Sequence, residues 1–334
     1  MSPPPDRSPV LCLGEVLIDL IAADGATRLE EVSAFAARPG GAPANAAVAL
    51  ARLGVASAFC GVVGGDPFGA RLAATLSANG VDVSRLRTAR EADTTIAFAW
   101  KDARGDGHFR LLRLADRLLS PDDVARAGID RLAALVIGSV ALAAEPSRSA
   151  VMRAVEIATA SRVPVCFDVN LRPTLWSDLE AARAACEPLL SRSSLLKLSL
   201  DDAGSLFGTG DADAALVHLE RYGAPYVVVT DGARGAWFAR RGEAAPPADR
   251  YVPAFAVDAV DPTGAGDAFT AAVVARLIQR QWARLDRADV VFAAAAGGLT
   301  TTRRGAIDAL PTTAEIASFL TDRKTEGEAP ARKR

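Results

Sequence analysis

Apolar residues run along this chain in short, nearly unbroken blocks, and longer stretches with helical spacing separate them. VLCLGEVLIDLIA (10–22) reads as one strand, APANAAVALARLG (42–54) as an amphipathic helix closed by Gly54, and ASAFCGVVG (56–64) as a strand again. ALVIGSV (134–140), PVCFDVN (164–170), SLLKLS (194–199) and PYVVVTDG (225–232) are further β-branched blocks, with SRSAVMRAVEIATASR and LEAARAACEPLL as helices among them. Short apolar strands alternating with helices predict an α/β fold whose mostly parallel sheet is covered on both faces. Ligands of such sheets sit beyond the carboxyl ends of the strands. Asp168, Asn170, Lys197, Ser199, Thr230 and Asp231 collect at those ends. One segment departs from the rhythm. TTIAFAWKDARGDGHFRLLR (94–113) reads as two strands around a glycine-containing turn, a β-hairpin that forms either a separate flap or an edge of the main sheet.

Composition narrows the function. The 334 residues are 50% hydrophobic, enough for a large core, and no repeat or linker divides them. One large domain with a small β appendage is the simplest organisation. Lysine and arginine number 38 against 40 acids, a net charge of -2, so no basic footprint points to nucleic acid. The four cysteines, Cys12, Cys60, Cys166 and Cys186, form no CxxC pair, which suggests buried thiols in a cytoplasmic protein rather than zinc or disulfides. Only two histidines, His108 and His218, are present, and neither has a nucleophile nearby in sequence. The start, MSPPPDRSP, is too polar for a signal peptide, and no apolar stretch reaches the ~20 residues of a membrane span. The charged end, TDRKTEGEAPARKR, lacks periodicity, so disordered tails are expected at 1–7 and 322–334 around a domain over 8–320.

The densest chemistry is DPTGAGDAF (261–269), two glycines and two aspartates ahead of an apolar helical run. Gly264, Ala265 and Gly266 let backbone N–H groups converge on an anion at a helix start, and Asp267 behind them suits a proton acceptor. A plain helix cap explains the same residues. In PGGAPANAAVALARLG (39–54), Gly40 and Gly41 let a ligand approach the backbone, and the Asn45 amide suits a polyol; a glycine-rich turn before a helix is the plain alternative. DVNLR (168–172) ends a strand with Arg172, whose planar fork suits phosphate or hydroxyl oxygens. LKLSLDD places Ser199 and Asp202 where capping explains both. VVVTDGARGA (227–236) leaves a strand through Thr230, Gly232 and Gly235, as a nucleotide-phosphate loop does. Asp19 lies inside the apolar run VLIDLIA, where a carboxylate needs either a ligand or a specific partner.

Together these motifs resemble the PfkB, or ribokinase-like, carbohydrate kinases from about Val10 to Leu320. GGAPANAAVALARLG is similar to that family's N-terminal signature and DPTGAGDAF to its C-terminal one; within the family, DVNLR and TTTRRGAI look most like fructokinases. The resemblance implies a ribokinase-like three-layer α/β/α sandwich with a small β-sheet lid, here segments about 16–38 and 94–113. It implies transfer of the ATP γ-phosphate to a primary sugar hydroxyl, with Asp267 as base and the 264–266 amides as anion hole. Asp19, Gly40, Gly41, Asn45, Arg113 and Arg172 fall on the sugar side. Asn170, Arg172, Ser199, Thr230, Gly232, Gly235, Gly264 and Gly266 fall on the ATP side. Mg²⁺ near Asp202 through water, a monovalent cation such as K⁺ near Asp261 and Thr263, and a homodimer through the lid are implied as well. Fructose is the first acceptor expected; 2-keto-3-deoxygluconate, ribose and a nucleoside are the alternatives, and a non-catalytic sensor a distant one. Four departures stand out: Ser199 and Asp202 replace the usual asparagine and glutamate, Ala294 replaces an asparagine, the turn after Arg113 is shortened to Leu114-Ala115-Asp116, and an aromatic residue is missing at Leu112.

Overall fold

A computed structural model describes residues 8–104, 107–243 and 247–328. The first half carries β1 (Val10–Leu13), β2 (Leu17–Ala22), β3 (Phe35–Gly40), α1 (Ala42–Arg52), β4 (Ser57–Gly64), α2 (Pro67–Ala78) and β5 (Asp82–Ala89). The hairpin β6 (Ile96–Lys101) and β7 (Gly107–Leu112) follows, then α3 (Pro121–Ala125), β8 (Ala134–Gly138), α4 (Ser147–Ala160) and β9 (Val165–Asp168). The second half holds α5 (Leu179–Leu190), β10 (Leu195–Ser199), α6 (Leu200–Phe207), α7 (Ala212–Glu220), β11 (Tyr226–Thr230), β12 (Ala236–Arg240) and β13 (Tyr251–Val252). Three long helices close the chain: α8 (Ala265–Gln279), α9 (Arg287–Thr301) and α10 (Thr313–Glu328).

The main sheet runs β13-β12-β11-β10-β9-β8-β1-β4-β5, parallel from β11 to β5 and antiparallel at β11–β12 and β12–β13. One buried cluster joins Leu11, Leu135 and Phe167 to Val151 of α4, Leu189 of α5 and Leu216 of α7. The other joins Cys12, Phe59 and Val136 to Leu50 of α1, Leu72 of α2, Val274 of α8 and Val290 of α9. Alternate residues of the same strands feed the two clusters, as a sheet buried on both faces requires. The result is a three-layer α/β/α sandwich. All four cysteines are buried and unbridged. Among the described residues no helix is long and apolar enough to cross a membrane.

A second sheet, β3-β2-β6-β7, stands apart from the first. It contains the hairpin, which is therefore part of a separate flap and not an edge of the main sheet. Two expectations need correction. The run 10–22 is two strands in two sheets, divided at Gly14-Glu15-Val16, because Gly14 takes φ +148 and turns the chain out of the core sheet. An unbroken apolar pattern carries no mark of a change of sheet. The tail expected to be disordered from 322 is helical as far as Glu328, continuing α10, whose Ile316 is fully buried and whose Phe319 packs edge-on against Phe255. Residues 1–7 and 329–334 lie outside the described residues.

Candidate active site

Between the lid and the carboxyl ends of the central strands lies a cleft of about 330 Å³. Its wall includes Asp19, Gly41, Asn45, Asn170, Arg172, Thr263, Gly264, Gly266 and Asp267, all singled out from the sequence. Residues more than two hundred positions apart thus meet. Asn45 donates from Nδ2 to Asp267 Oδ2 at 2.7 Å in a buried hydrogen bond.

The helix α8 explains the arrangement at Asp267. Gly264 precedes it with φ +81, a left-handed conformation that a side chain resists. Ala265 donates its N–H back to Pro262 O at 3.2 Å. The first-turn amides of Gly266 and Asp267 are those a helix leaves without intrahelical partners, and they carry the positive end of its dipole. The Ala265 amide is thus committed to Pro262 O, and the bare first-turn donors nearest Asp267 are those of Gly266 and Asp267. A Cβ on Gly266 would lie 3.3 Å from Lys197 Nζ, a tight contact that places the first turn of α8 close over that lysine. That lysine is buried in β10, lines the cleft, and pairs with both Asp168 oxygens at 3.0 and 3.1 Å. Burial disfavours its charge, but Asp168 and Asp202 outweigh burial and hold its pKa above the usual lysine range.

Two carboxyls on the cleft are held unusually basic. Burial pushes Asp267 up to about 6, against the Asn45 hydrogen bond and the Lys197 and Arg172 charges; the Asp168 charge adds to the rise. Burial and then the Asp267 charge push Asp19 up to about 7. Asp19 accepts no hydrogen bond from the described residues, and a side chain on Gly40 would collide with its carboxylate. Gly40 thus clears room for Asp19, and Gly41 is the one that faces the cleft. Asp19 has no ion pair among the described residues and lines the cleft. Asn45 uses one of its two amide hydrogens to hold Asp267, and its Oδ1 is buried with no partner among the described residues. Arg172 donates from Nη1 to Asn170 Oδ1 at 2.7 Å and has no ion pair among the described residues.

Other expected residues sit elsewhere. Arg113 does not line the cleft. It is buried behind it, donating to Asp116 Oδ2 at 2.6 Å and Val140 O at 2.8 Å, because the shortened turn brings Asp116 within its reach. Ser199 and Asp202 form a reciprocal cap on α6, and the second Asp202 oxygen accepts from Leu171 N at 2.8 Å. Each Asp202 oxygen thus already accepts one backbone hydrogen bond, which leaves one lone pair on each for a water of the kind expected near Mg²⁺. Asp261 accepts from Thr263 N, Thr263 Oγ1 and Gly305 N, tying the turn before α8 to the loop at 305. Thr230 neighbours Ser199 at the carboxyl edge of β11, and the chain then turns through Gly232 (φ +47) and Gly235 (φ +117). These lie along the same sheet edge, outside the cleft. Two charged wall residues were given no role from the sequence, Glu15 and Lys197, although Lys197 was already placed at the end of a strand. Both were visible as lone charges inside apolar strand-like runs, the signal that marked Asp19.

The match to known proteins follows the same span. The model of the "pfkB family carbohydrate kinase" matches residues 7–313. The chain belongs to this family. Its carbohydrate-kinase relatives include fructokinase-1 of Zea mays, 38% identical over 94% of this chain and 98% of that protein. A fructokinase from Vibrio cholerae O395, solved with fructose, ADP and potassium bound, superposes with a TM-score of 0.80 at 32% identity, covering 94% of this chain and 98% of the other. A fructokinase from Xylella fastidiosa with bound ATP gives 0.79 at 30%, again over 94% and 98%. The pfkB kinase fold accounts for the sandwich and the separate small sheet together.

Proposed function

We propose that this carbohydrate kinase is a fructokinase that moves the γ-phosphate of ATP to the primary hydroxyl of fructose, giving fructose 6-phosphate. The observation that carries this reading is Asp267: a buried carboxyl at a helix start, held by Asn45, with the bare first-turn amides of α8 beside it. The fructose and nucleotide found in the similar fructokinases support the choice of substrates.

The sugar lies under the lid with a hydroxyl at Asp267. That carboxylate accepts the proton as the oxygen attacks phosphorus. Asn45 fixes the rotamer of Asp267, so its free oxygen faces the acceptor. The amides of Gly266 and Asp267, with Lys197 beneath and Arg172 at the rim, stabilise the charge that spreads over the phosphoryl oxygens. Asp19 accepts sugar hydroxyls. Thr230, Gly232 and Gly235 at the far sheet edge, with Asn170 and Ser199, form the nucleotide side. Apolar lid residues Ala97, Phe109 and Leu111 cover the cleft and keep water from the phosphate.

Among the described residues no three His, Cys, Asp or Glu side chains gather around a metal. Mg²⁺ would be carried by the ATP phosphates and water, and neutralise their charge. Asp261 would serve K⁺ by shaping the 261–263 turn, where its Oδ1 accepts two hydrogen bonds from Thr263 and its Oδ2 one from Gly305. A reducing cytoplasm suits the four buried thiols. The exposed edge strand β7, with Phe109 and Leu112 exposed, suits pairing of two lids in a homodimer; light scattering that finds monomers at every concentration removes that pairing.

The test is ADP release with fructose, ribose, 2-keto-3-deoxygluconate, adenosine and fructose 6-phosphate. Fructose gives the highest kcat/KM. Asp267→Asn lowers kcat about a hundredfold to ten-thousandfold, the range of a lost general base, with ATP binding kept. Near-normal turnover of that variant, or no stimulation by fructose, rejects the assignment.

A further inference from the structure

Glu15 sits where the chain leaves the main sheet for the lid, in the turn between β1 and β2, with 3% of its surface exposed. It lines the cleft together with Asp19, Asn45, Arg172 and Asp267. Its Oε2 is buried and has no hydrogen-bond partner among the described residues. A buried carboxyl oxygen without a donor is costly, and native proteins rarely tolerate one outside a functional site. Burial pushes this carboxyl up to about 7, against a hydrogen bond from its own backbone N–H and the Arg113 and Arg172 charges, while the Asp116 charge adds to the rise. Neither arginine is bonded to it. Arg113 is committed to Asp116 and to Val140 O, and Arg172 holds Asn170. A ligand hydroxyl in the cleft is placed to supply the donor that Oε2 lacks.

The charges on the wall indicate what that ligand is. Glu15, Asp19 and Asp267 present three carboxyls, and of the two cations on the same wall, Lys197 is already held by Asp168. Hydroxyls donate to carboxylates, whereas an acceptor with its own carboxylate or phosphate would bring a further negative charge against them. We propose that Glu15 is a sugar-binding, specificity-determining residue: its carboxyl takes a hydroxyl of a neutral acceptor and, with Asp19, disfavours sugar acids and sugar phosphates. This rests on the carbohydrate-kinase reading of the cleft and deepens it. Glu15 also lies at the root of the lid, beside Gly14 and Gly41, whose added Cβ would meet Glu15 O at 2.7 Å. Sugar held there is held at the point from which the lid strands depart.

Steady-state kinetics on the full chain decide the matter, with fructose as the neutral acceptor and 2-keto-3-deoxygluconate as the acidic one. Glu15→Ala raises KM for fructose about tenfold, the loss of one hydrogen bond to a charged group, while kcat and KM for ATP change less than twofold. The same variant inhibits more readily with the sugar acid than wild type does. Glu15→Asp keeps a buried acid but shortens its reach, so it also raises KM for fructose with the melting temperature near wild type. Wild-type KM for fructose in both variants overturns the proposal. So does a loss that falls equally on kcat, KM for ATP and melting temperature, the mark of a purely structural residue. Wild-type turnover of fructose bears on the fructokinase reading alone, and fructose turnover with silent Glu15 variants would leave that reading standing. Preference of the wild type for the sugar acid sinks both.

Discussion

As the proposed base, Asp267 combines two requirements that oppose one another. A base must be ionised to accept a proton, and burial at the start of α8 favours its neutral form, holding it at about 6. The helix N-terminus, the Asn45 donor and the Lys197 and Arg172 charges stop burial from raising it further. The sign for activity follows. Above this value the carboxylate is charged and competent; as pH falls through it, the proton occupies the accepting oxygen and kcat drops. A pH–rate profile should therefore show an acid limb near 6, set by a single group if Asp267 dominates. Asn45→Ala removes the hydrogen bond that lowers the value, so the limb moves to higher pH. A limb that stays in place in that variant would detach Asn45 from the base. The sequence showed the type and order of these residues, but not that Asn45 would face Asp267. Contact between positions 222 apart depends on how α1 and α8 lie against each other, which no local pattern encodes.

At the scale of elements, the parallel strands were legible because each is an apolar block buried on both faces, and β4, β8, β9, β10 and β11 fall within a residue or two of their expected spans. The division of 10–22 was not legible, since β1 and the start of β2 are both buried and differ only in the sheet they join. Arg113 was misplaced for a related reason: its partner, Asp116, lies in a turn whose geometry is set by Thr95, which donates to Asp116 Oδ1 at 2.5 Å. The turn into α8 is the element on which the site most depends. Gly264 has φ +81, and a Cβ there would come 3.0 Å from Ala306 Cβ and 3.1 Å from its Cα. Gly264→Ala accordingly meets a left-handed penalty of about 1–2 kcal/mol and a backbone neighbour that cannot move cheaply. Its melting temperature should fall by a few degrees, and kcat should fall more than KM for the sugar, because the amides of the first turn are displaced while the sugar wall is untouched. Calorimetry with parallel kinetics checks both; an unchanged kcat would mean that those amides do not stabilise the transferring group.

For the whole molecule, the question is how a lid of four strands can open without loosening the sandwich. Its sheet shares no ladder with the main one. It is rooted at Gly14–Val16 and Gly40–Gly41, and again around Thr94, Thr95 and Arg113. The second root is stiff: Thr95 and Asp116 are buried and bonded to each other, and Arg113 ties them to Val140 O. Outer strand β7 is the opposite, exposed along most of its length and paired on one side only. Stability should therefore be graded across the lid, low at β7 and high at its roots, while the sandwich around Phe59 and Phe167 opens only on global unfolding. Closure over a ligand buries Phe109 and Leu111 against it, since both already line the cleft. Hydrogen–deuterium exchange of the ligand-free lid should be fastest in β7 and slower in β6, which is paired on both sides. Adding fructose with a non-hydrolysable ATP analogue should slow exchange there and at the first turn of α8, and leave α4 and α5 unchanged. Protection confined to the nucleotide edge near Thr230 and Gly235 would mean that the lid does not respond to the sugar, and that water is excluded from the phosphate by some part of the chain other than β6 and β7.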